Sequence, residues 1–209
     1  MPERERRAAV SHRRTLTARG SKRRRQLLDT GARLFAEQGY HGTTVGQVCD
    51  ALGVGKGVFY WYFDSKEALF RELLQRTLLE LRRAQHAAIG SIGDPVARIE
   101  SGARASIEFF VAEPGRLHLI RIAGQHEEFS AHVTSGEATV AADVAVHIKE
   151  GMAAGSIRPG DPDVMAHGVL GAILHFVETY LGTPEAAAAA PRELADEAVA
   201  FCLRGVLAR

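Results

Sequence analysis

Residues 42–70 read GTTVGQVCDALGVGKGVFYWYFDSKEALF, and this stretch decides the fold. Thr44 and Gln47 stand three apart, so a hydroxyl and a side-chain amide can each satisfy a free N–H at the start of a helix. Val45, Val48, Cys49 and Leu52 follow at i, i+3, i+4 and i+7, which is one face of a short helix. Gly53 then breaks the pattern and permits a tight turn. A next helix over about 55–63 turns Phe59 and Phe63 inward and puts Lys56, Gly57 and Tyr60 on the opposite side. Asp64 or Ser65 caps a long helix from Lys66 toward Ala88. Two short helices about a glycine turn describe a helix-turn-helix. The second fits the major groove of B-DNA while the first crosses the backbone and fixes its angle. Thr44 and Lys66 both stand at helix N-termini, where free N–H groups and the helix dipole suit a phosphate.

Upstream, a helix is expected from about Ser21 to Gln38. Leu27, Gly31, Leu34 and Phe35 share one face, and Gly39 stops it. Before it lies a basic arm. Residues 1–25 hold ten Lys/Arg against two acids, although the whole chain carries only +1. The excess is Arg4, Arg6, Arg7, Arg13, Arg14, Arg19, Lys22, Arg23, Arg24 and Arg25. A basic end on an acidic body points to a polyanion met at one end only.

Downstream, period-two alternation is lacking and helical periodicity dominates. Further helices are expected near 94–112, 115–124, 127–153, 162–181 and 192–207. Asp94-Pro95 and Asp161-Pro162 each pair an N-cap with proline at the first helical position, where a missing N–H is harmless. The run Ala186 to Ala190 after Thr183-Pro184 reads as a low-complexity loop of helix-prone alanines. The fold class is therefore all-α, with about nine helices: a basic arm (1–20), a three-helix helix-turn-helix domain (21–66) and a helical domain (67–209).

Cys49 and Cys202 sit in apolar helical patterns and read as buried, reduced thiols. The six histidines His118, His126, His132, His147, His167 and His175 include no i, i+4 pair, so no metal site is expected. Nucleophile elbow, zinc-protease, Walker and dinucleotide motifs are absent, so neither an enzyme nor a bound cofactor is expected. No apolar run reads as the roughly 18–20 residues of a membrane span, and the N-terminus lacks the apolar core of a secretory signal. A cytoplasmic protein without a membrane partner is expected.

The 42–70 stretch, with Ala32-Arg-Leu-Phe-Ala-Glu-Gln-Gly-Tyr40 before it, resembles the DNA-binding domain of tetracycline-repressor (TetR) family regulators over about residues 21–74. The resemblance implies that Thr44 touches phosphate from the start of the second helix. It also implies that Lys56, Gly57 and Tyr60 face the groove, that Tyr60 and Tyr62 reach phosphates, and that Lys66 clamps the backbone. Two positions depart from the family pattern: Gly46 stands where a base-reading Arg is frequent, and Gly55 where a small polar residue is usual. Base readout is then left to Lys56, to Val58 against thymine methyls, and to DNA shape. Phe59, Phe63 and Trp61 are assigned to packing.

In the family the last two helices form a four-helix dimer interface, and Val164 to Leu181 is apolar nearly all round, as a helix buried on more than one side would be. A homodimer is expected, each subunit meeting one half of a palindromic operator in double-stranded DNA. The middle helices are expected to enclose a hydrophobic or amphipathic small-molecule effector. Candidate apolar contacts are Phe109, Phe110, Leu117, Ile120 and Phe129, and candidate polar ones are Arg121, His126 and His175. The mechanism that follows is ligand-released repression.

Overall fold

The computed structural model describes residues 17–189 and 193–208. Arg4, Arg6, Arg7, Arg13 and Arg14 of the basic arm, and Ala190 of the alanine run, lie outside the described residues. In chain order the helices are α1 (Ala18–Gly42), α2 (Val45–Ala51), α3 (Lys56–Tyr62), α4 (Lys66–Ile89), α5 (Pro95–Ala112), α6 (Pro114–Gly124), α7 (Glu127–Ala153), α8 (Pro162–Leu181), α9 (Pro184–Ala189) and α10 (Leu194–Val206). The nine expected helices are all present. The six-residue α9 is added where the alanine run was read as loop, since alanine resists helix formation least. Among the described residues the only β pairing is an isolated bridge between Ile157 and Leu207.

Local chemistry sets the boundaries. α1 begins three residues before the expected Ser21, because the Thr17 hydroxyl accepts from Gly20 N–H and caps the helix there. Gly39, with φ of 74°, breaks the helical run where the sequence places its stop, and a short further stretch follows to Gly42. The capping box of α2 forms as read: Thr44 N–H donates to Gln47 Oε1 (2.8 Å) and Gln47 N–H donates to Thr44 Oγ1 (3.2 Å). Gly53 supplies the turn between α2 and α3 at φ of 62°, which a side chain would strain. Asp94 and Asp161 cap α5 and α8, each followed by its proline.

Two apolar clusters organise the chain. One joins α1–α4 through Leu27, Phe35, Val48, Phe59, Phe63, Leu69 and Phe70. The other joins α4, α5, α7, α8 and α10 through Leu81, Ile107, Ile148, Val177 and Val199. α4 belongs to both: Leu69, Phe70, Leu73 and Leu74 pack in the first and Leu81 in the second. Leu119, Ile122 and Ala123 of α6, with Phe129 and Val133 of α7, also enter the first cluster. The three-helix unit is thus closed by segments that the 66/67 boundary assigns to the second domain. α1 and α4 approach closely at Gly31, where a β-carbon would lie 2.7 Å from Leu69 Cδ2. Cys49 and Cys202 are free and buried, and burial raises both thiols.

α8 spans 20 residues at a mean hydropathy of 1.3, long and apolar enough to cross a membrane, contrary to the sequence expectation. Met165, Ala166, Val169, Ile173, Val177 and Leu181 instead pack into the core. Its other side lies open in the single chain, with Val164 69% exposed. The expected burial on more than one side is therefore half met within one subunit.

Candidate nucleic-acid interface and ligand cavity

The outer face of α3 carries large side chains with little intramolecular use. Phe59 is fully buried and Phe63 nearly so, which anchors α3 in the first cluster. Lys56, Gly57, Val58 and Tyr60 are exposed, and Tyr62 is half-buried. Trp61, assigned to packing from sequence, is 54% exposed, as is Tyr60. The helix turns it outward beside Val58 and Tyr62, and its ring meets Tyr62 edge-on at 4.5 Å. Sequence reasoning missed Trp61 because three consecutive aromatics cannot all face inward on a seven-residue helix, and only the packing of α3 says which do.

Thr44 is exposed at the start of α2, its hydroxyl held by Gln47, whose Nε2 in turn donates to Gln38 Oε1 (2.9 Å). A β-carbon on Gly46 would stand 3.7 Å from Thr44 Oγ1, 3.6 Å from Lys56 Cε and 3.9 Å from Lys56 Nζ. The glycine at the position where the family often has Arg is thus the floor beneath the Lys56 ammonium. Thr44 and Lys56 flank it, so a hydroxyl and a cation converge from two helices.

Lys66 is placed differently from the expected clamp. Its ammonium donates to Tyr40 O (2.8 Å) and stands 4.2 Å from the centre of the Tyr40 ring. One of its three donors is therefore committed to tying α4 to the end of α1. Tyr40 in turn donates to Glu67 Oε1 (3.0 Å). Hydrogen bonds from its own backbone N–H and from Ser65 hold the Glu67 carboxyl below the usual carboxylate range. Burial, reinforced by Glu67, pushes the Tyr40 phenol up. Arg24 of the basic run is likewise engaged: its guanidinium pairs with Glu72 and lies over the Phe63 ring.

Beyond α1–α3, helices α4 to α8 line two adjoining, partly open cavities of about 210 and 240 Å³. Gln85, Val140, Leu170 and Ile173 line both. Phe110 and Ile120, expected at a ligand site, line the larger one. The other candidates lie elsewhere. Phe109 packs beneath the Arg116 guanidinium (4.5 Å), and Leu117 is buried in the second cluster away from either cavity. Arg121 is exposed on α6, against His118 Nδ1 (2.7 Å) and Gly182 O (3.4 Å). His126 stands at the N-cap position of α7 without a side-chain cap, and meets the Tyr40 and His41 rings at 5.1 and 4.8 Å. Phe129 sits in that same junction, and His175 is exposed on the open side of α8. The polar lining comes from residues outside the ligand candidates read from sequence: Arg82, Gln85, His86, Ser106, Glu137, Thr139, Asp143 and His147. Helical periodicity marks a face as inward but cannot say which inward residues border empty space.

The open sides of α8 and α10 bear Val164, Tyr180 and Phe201, the last 63% exposed. Gly168, Gly171 and Gly205 lie exposed among them. Phe176 bridges the two helices, at 6.4 Å from Tyr180 and 5.8 Å from Phe201. Among the described residues no group of three His, Cys, Asp or Glu side chains is placed to hold a metal.

Residues 27–73 match the family model described as bacterial regulatory proteins, tetR family. The chain is 39% identical over 92 residues to the HTH-type transcriptional repressor KstR2 of Rhodococcus jostii, covering 44% of this chain and 45% of that protein. It is 29% identical over 114 residues to the probable acrEF/envCD operon repressor of Escherichia coli K12, covering 54% and 52%. These matches span about half the length of the curated relatives. The fold is similar to the solved structure of AibR in complex with isovaleryl coenzyme A and operator DNA. There the TM-score is 0.70 at 22% identity, over 88% of this chain and 98% of that one. Residues 27–73 of the chain thus match the tetR family model, and the chain as a whole is similar in fold to a solved regulator.

Proposed function

We propose that the chain is a DNA-binding transcriptional regulator, a repressor that binds a palindromic operator as a dimer and is released by a small-molecule ligand. The observation that carries this reading is the outward face of α3, where Lys56, Gly57, Val58, Tyr60 and Trp61 are exposed on a helix anchored by buried Phe59. An α-helix fits the major groove, and this face has little packing role. Thr44, Tyr60 and Tyr62 serve as phosphate contacts, Lys56 and Val58 read base edges, and Gly57 lets the backbone approach. Lys66 acts first as the tether to Tyr40. The named relatives KstR2 and the acrEF/envCD repressor are regulators by description, which favours a non-enzymatic, cytoplasmic role.

Residues 21–66 form the reading head in this proposal, and residues 67–209 sense and dimerise. The open faces of α8 and α10 meet their copies across a two-fold axis, which places two α3 helices for two half-sites. α4 carries the signal. Leu78, Leu81, Arg82 and Gln85 line the cavity, while Leu69, Phe70, Leu73 and Leu74 on the same helix hold the head. A ligand that favours one position of α4 thereby favours one spacing of the heads.

The test is selection of genomic fragments by the purified protein at near-physiological salt, with footprinting of the enriched fragments. One short inverted repeat in a promoter is the expected outcome. Uniform recovery of all fragments refutes operator recognition, and loss of enrichment in Tyr60→Ala with Lys56→Ala assigns it to α3.

A further inference from the structure

Glycine inside a helix is unfavourable relative to alanine unless something requires it. Nothing within the chain requires Gly57. Its φ is not positive, and a β-carbon built on it would meet no atom within 4 Å. Neither backbone geometry nor packing therefore accounts for a glycine at this place in α3.

Trp61 is the second unexplained residue. It is 54% exposed on a helix of seven residues, and its ring touches Tyr62 rather than the core. Phe59, fully buried, fixes the inward direction of α3. At about 100° per residue, Gly57 and Trp61, two before and two after it, each lie about 160° from that direction. They are the outermost positions of the helix. Lys56 and Tyr60 flank them on one side, Val58 and Tyr62 on the other. Gly57, Val58, Trp61 and Tyr62 together line a shallow, open notch. The bare glycine is its floor, and the indole, set edge-on against Tyr62 at 4.5 Å, is one wall.

Lys56 is the one charged side chain on α3, and Gly46 and Gly55 add no reach beside it. The outward surface is thus mostly apolar and aromatic. Among the groups that base pairs display in the major groove, the thymine 5-methyl is the apolar one. An apolar notch at the centre of a groove-facing helix matches it better than it matches any hydrogen-bonding edge.

We propose, resting on the reading of the chain as an operator-binding regulator, that Trp61 is a specificity-determining residue: its indole and Val58 clasp a thymine 5-methyl over Gly57, so that each half-site carries thymine at one fixed position. Tyr62 holds the indole in place, and Gly57 stays bare to leave room for the methyl.

Uracil lacks only the methyl of thymine and pairs identically, so it isolates the contact. The full chain is titrated by fluorescence anisotropy with the inverted repeat it enriches, uracil replacing thymine at one symmetric pair of positions at a time. At one such pair the affinity should fall about fourfold per half-site, the factor that burying one methylene confers, and so about sixteenfold in all. Trp61→Ala should bind the thymine and uracil repeats alike, and Trp61→Phe, which keeps an aromatic wall, should keep part of the preference. Gly57→Ala fills the notch and should abolish or reverse the preference, while its thermal midpoint does not fall, because the added methyl meets nothing within the chain. A repeat indifferent to uracil at every position overturns the methyl contact and leaves operator recognition standing. A thymine preference that survives Trp61→Ala in full overturns the role of Trp61. Failure to enrich any repeat overturns the regulatory reading, and this inference with it.

Discussion

Replacing Phe129 probes the joint between the proposed sensing and reading parts. Phe129 is fully buried on α7, with its ring 4.6 Å from Phe70 of α4 and 5.2 Å from Tyr40 of α1. One helix turn at a time along the same face of α7, Val133, Gly136 and Val140 line the larger cavity. α7 therefore connects the cavity wall to the aromatic cluster of Tyr40 and Phe70 on α1 and α4. Phe129→Ala removes the buried ring and leaves a void, which costs about 3–5 kcal/mol. Two ring pairs of about 0.5–1.5 kcal/mol each account for part of that. Phe129→Leu keeps most of the apolar burial and loses chiefly the ring pairs, so it should cost about 1–2 kcal/mol. Urea unfolding followed by circular dichroism measures both, the midpoint shifting at constant slope. A loss below about 1 kcal/mol in Phe129→Ala would refute the packing described here, because no well-packed buried phenylalanine is so dispensable. Phe129→Leu, which remains folded, should bind operator but respond less to any effector.

Thr44→Ala removes the cap of α2 and a proposed phosphate contact, so it should cost about 1 kcal/mol of stability and weaken operator binding. Thr44→Ser should preserve both by thermal unfolding and mobility shift, and a weakened Ser variant would count against the hydroxyl's role. Val164→Asp with Phe201→Asp puts charge on two exposed apolar positions, and sedimentation should show monomers that bind operator poorly; an unchanged dimer would exclude the α8/α10 face. Deleting residues 1–16, which spares the Thr17 cap, should weaken DNA binding and flatten its dependence on salt. An unchanged slope removes the arm from the interface. Burial holds His118 and His147 below their ordinary value of 6.5. As pH falls below that value the unfolded chain takes up protons that the folded chain refuses. The stability these groups contribute is thus complete above it and lost as pH falls through the folded values. His147→Phe should flatten the fall in urea midpoint toward low pH, and an unaltered profile would exclude His147 as a contributor.

Much of the fold was legible in the sequence because it rests on local chemistry. The Thr44–Gln47 box, the Gly53 turn and the Asp-Pro starts of α5 and α8 each act within four residues, so composition and spacing fix them. The inward placement of Phe59 and Phe63 follows from helical period alone. Local chemistry also explains the small misses: Thr17 extends α1 by a cap that the sequence holds, and alanines drew α9 out of the expected loop.

Tertiary structure alone decided the rest. Period says that Lys66 begins a helix, but only the packing of α4 against the end of α1 commits its ammonium to Tyr40. Period marks Leu117 and Phe110 as inward alike, yet one fills the core and the other borders empty space. His126 and Phe129 looked like pocket residues and instead pack between the cavity-lining part of α7 and the end of α1. The physical reason is common to all three. A helix face is set by residues three and four apart, whereas a cavity, a tether or a shared core is set by what helices distant in sequence leave between them.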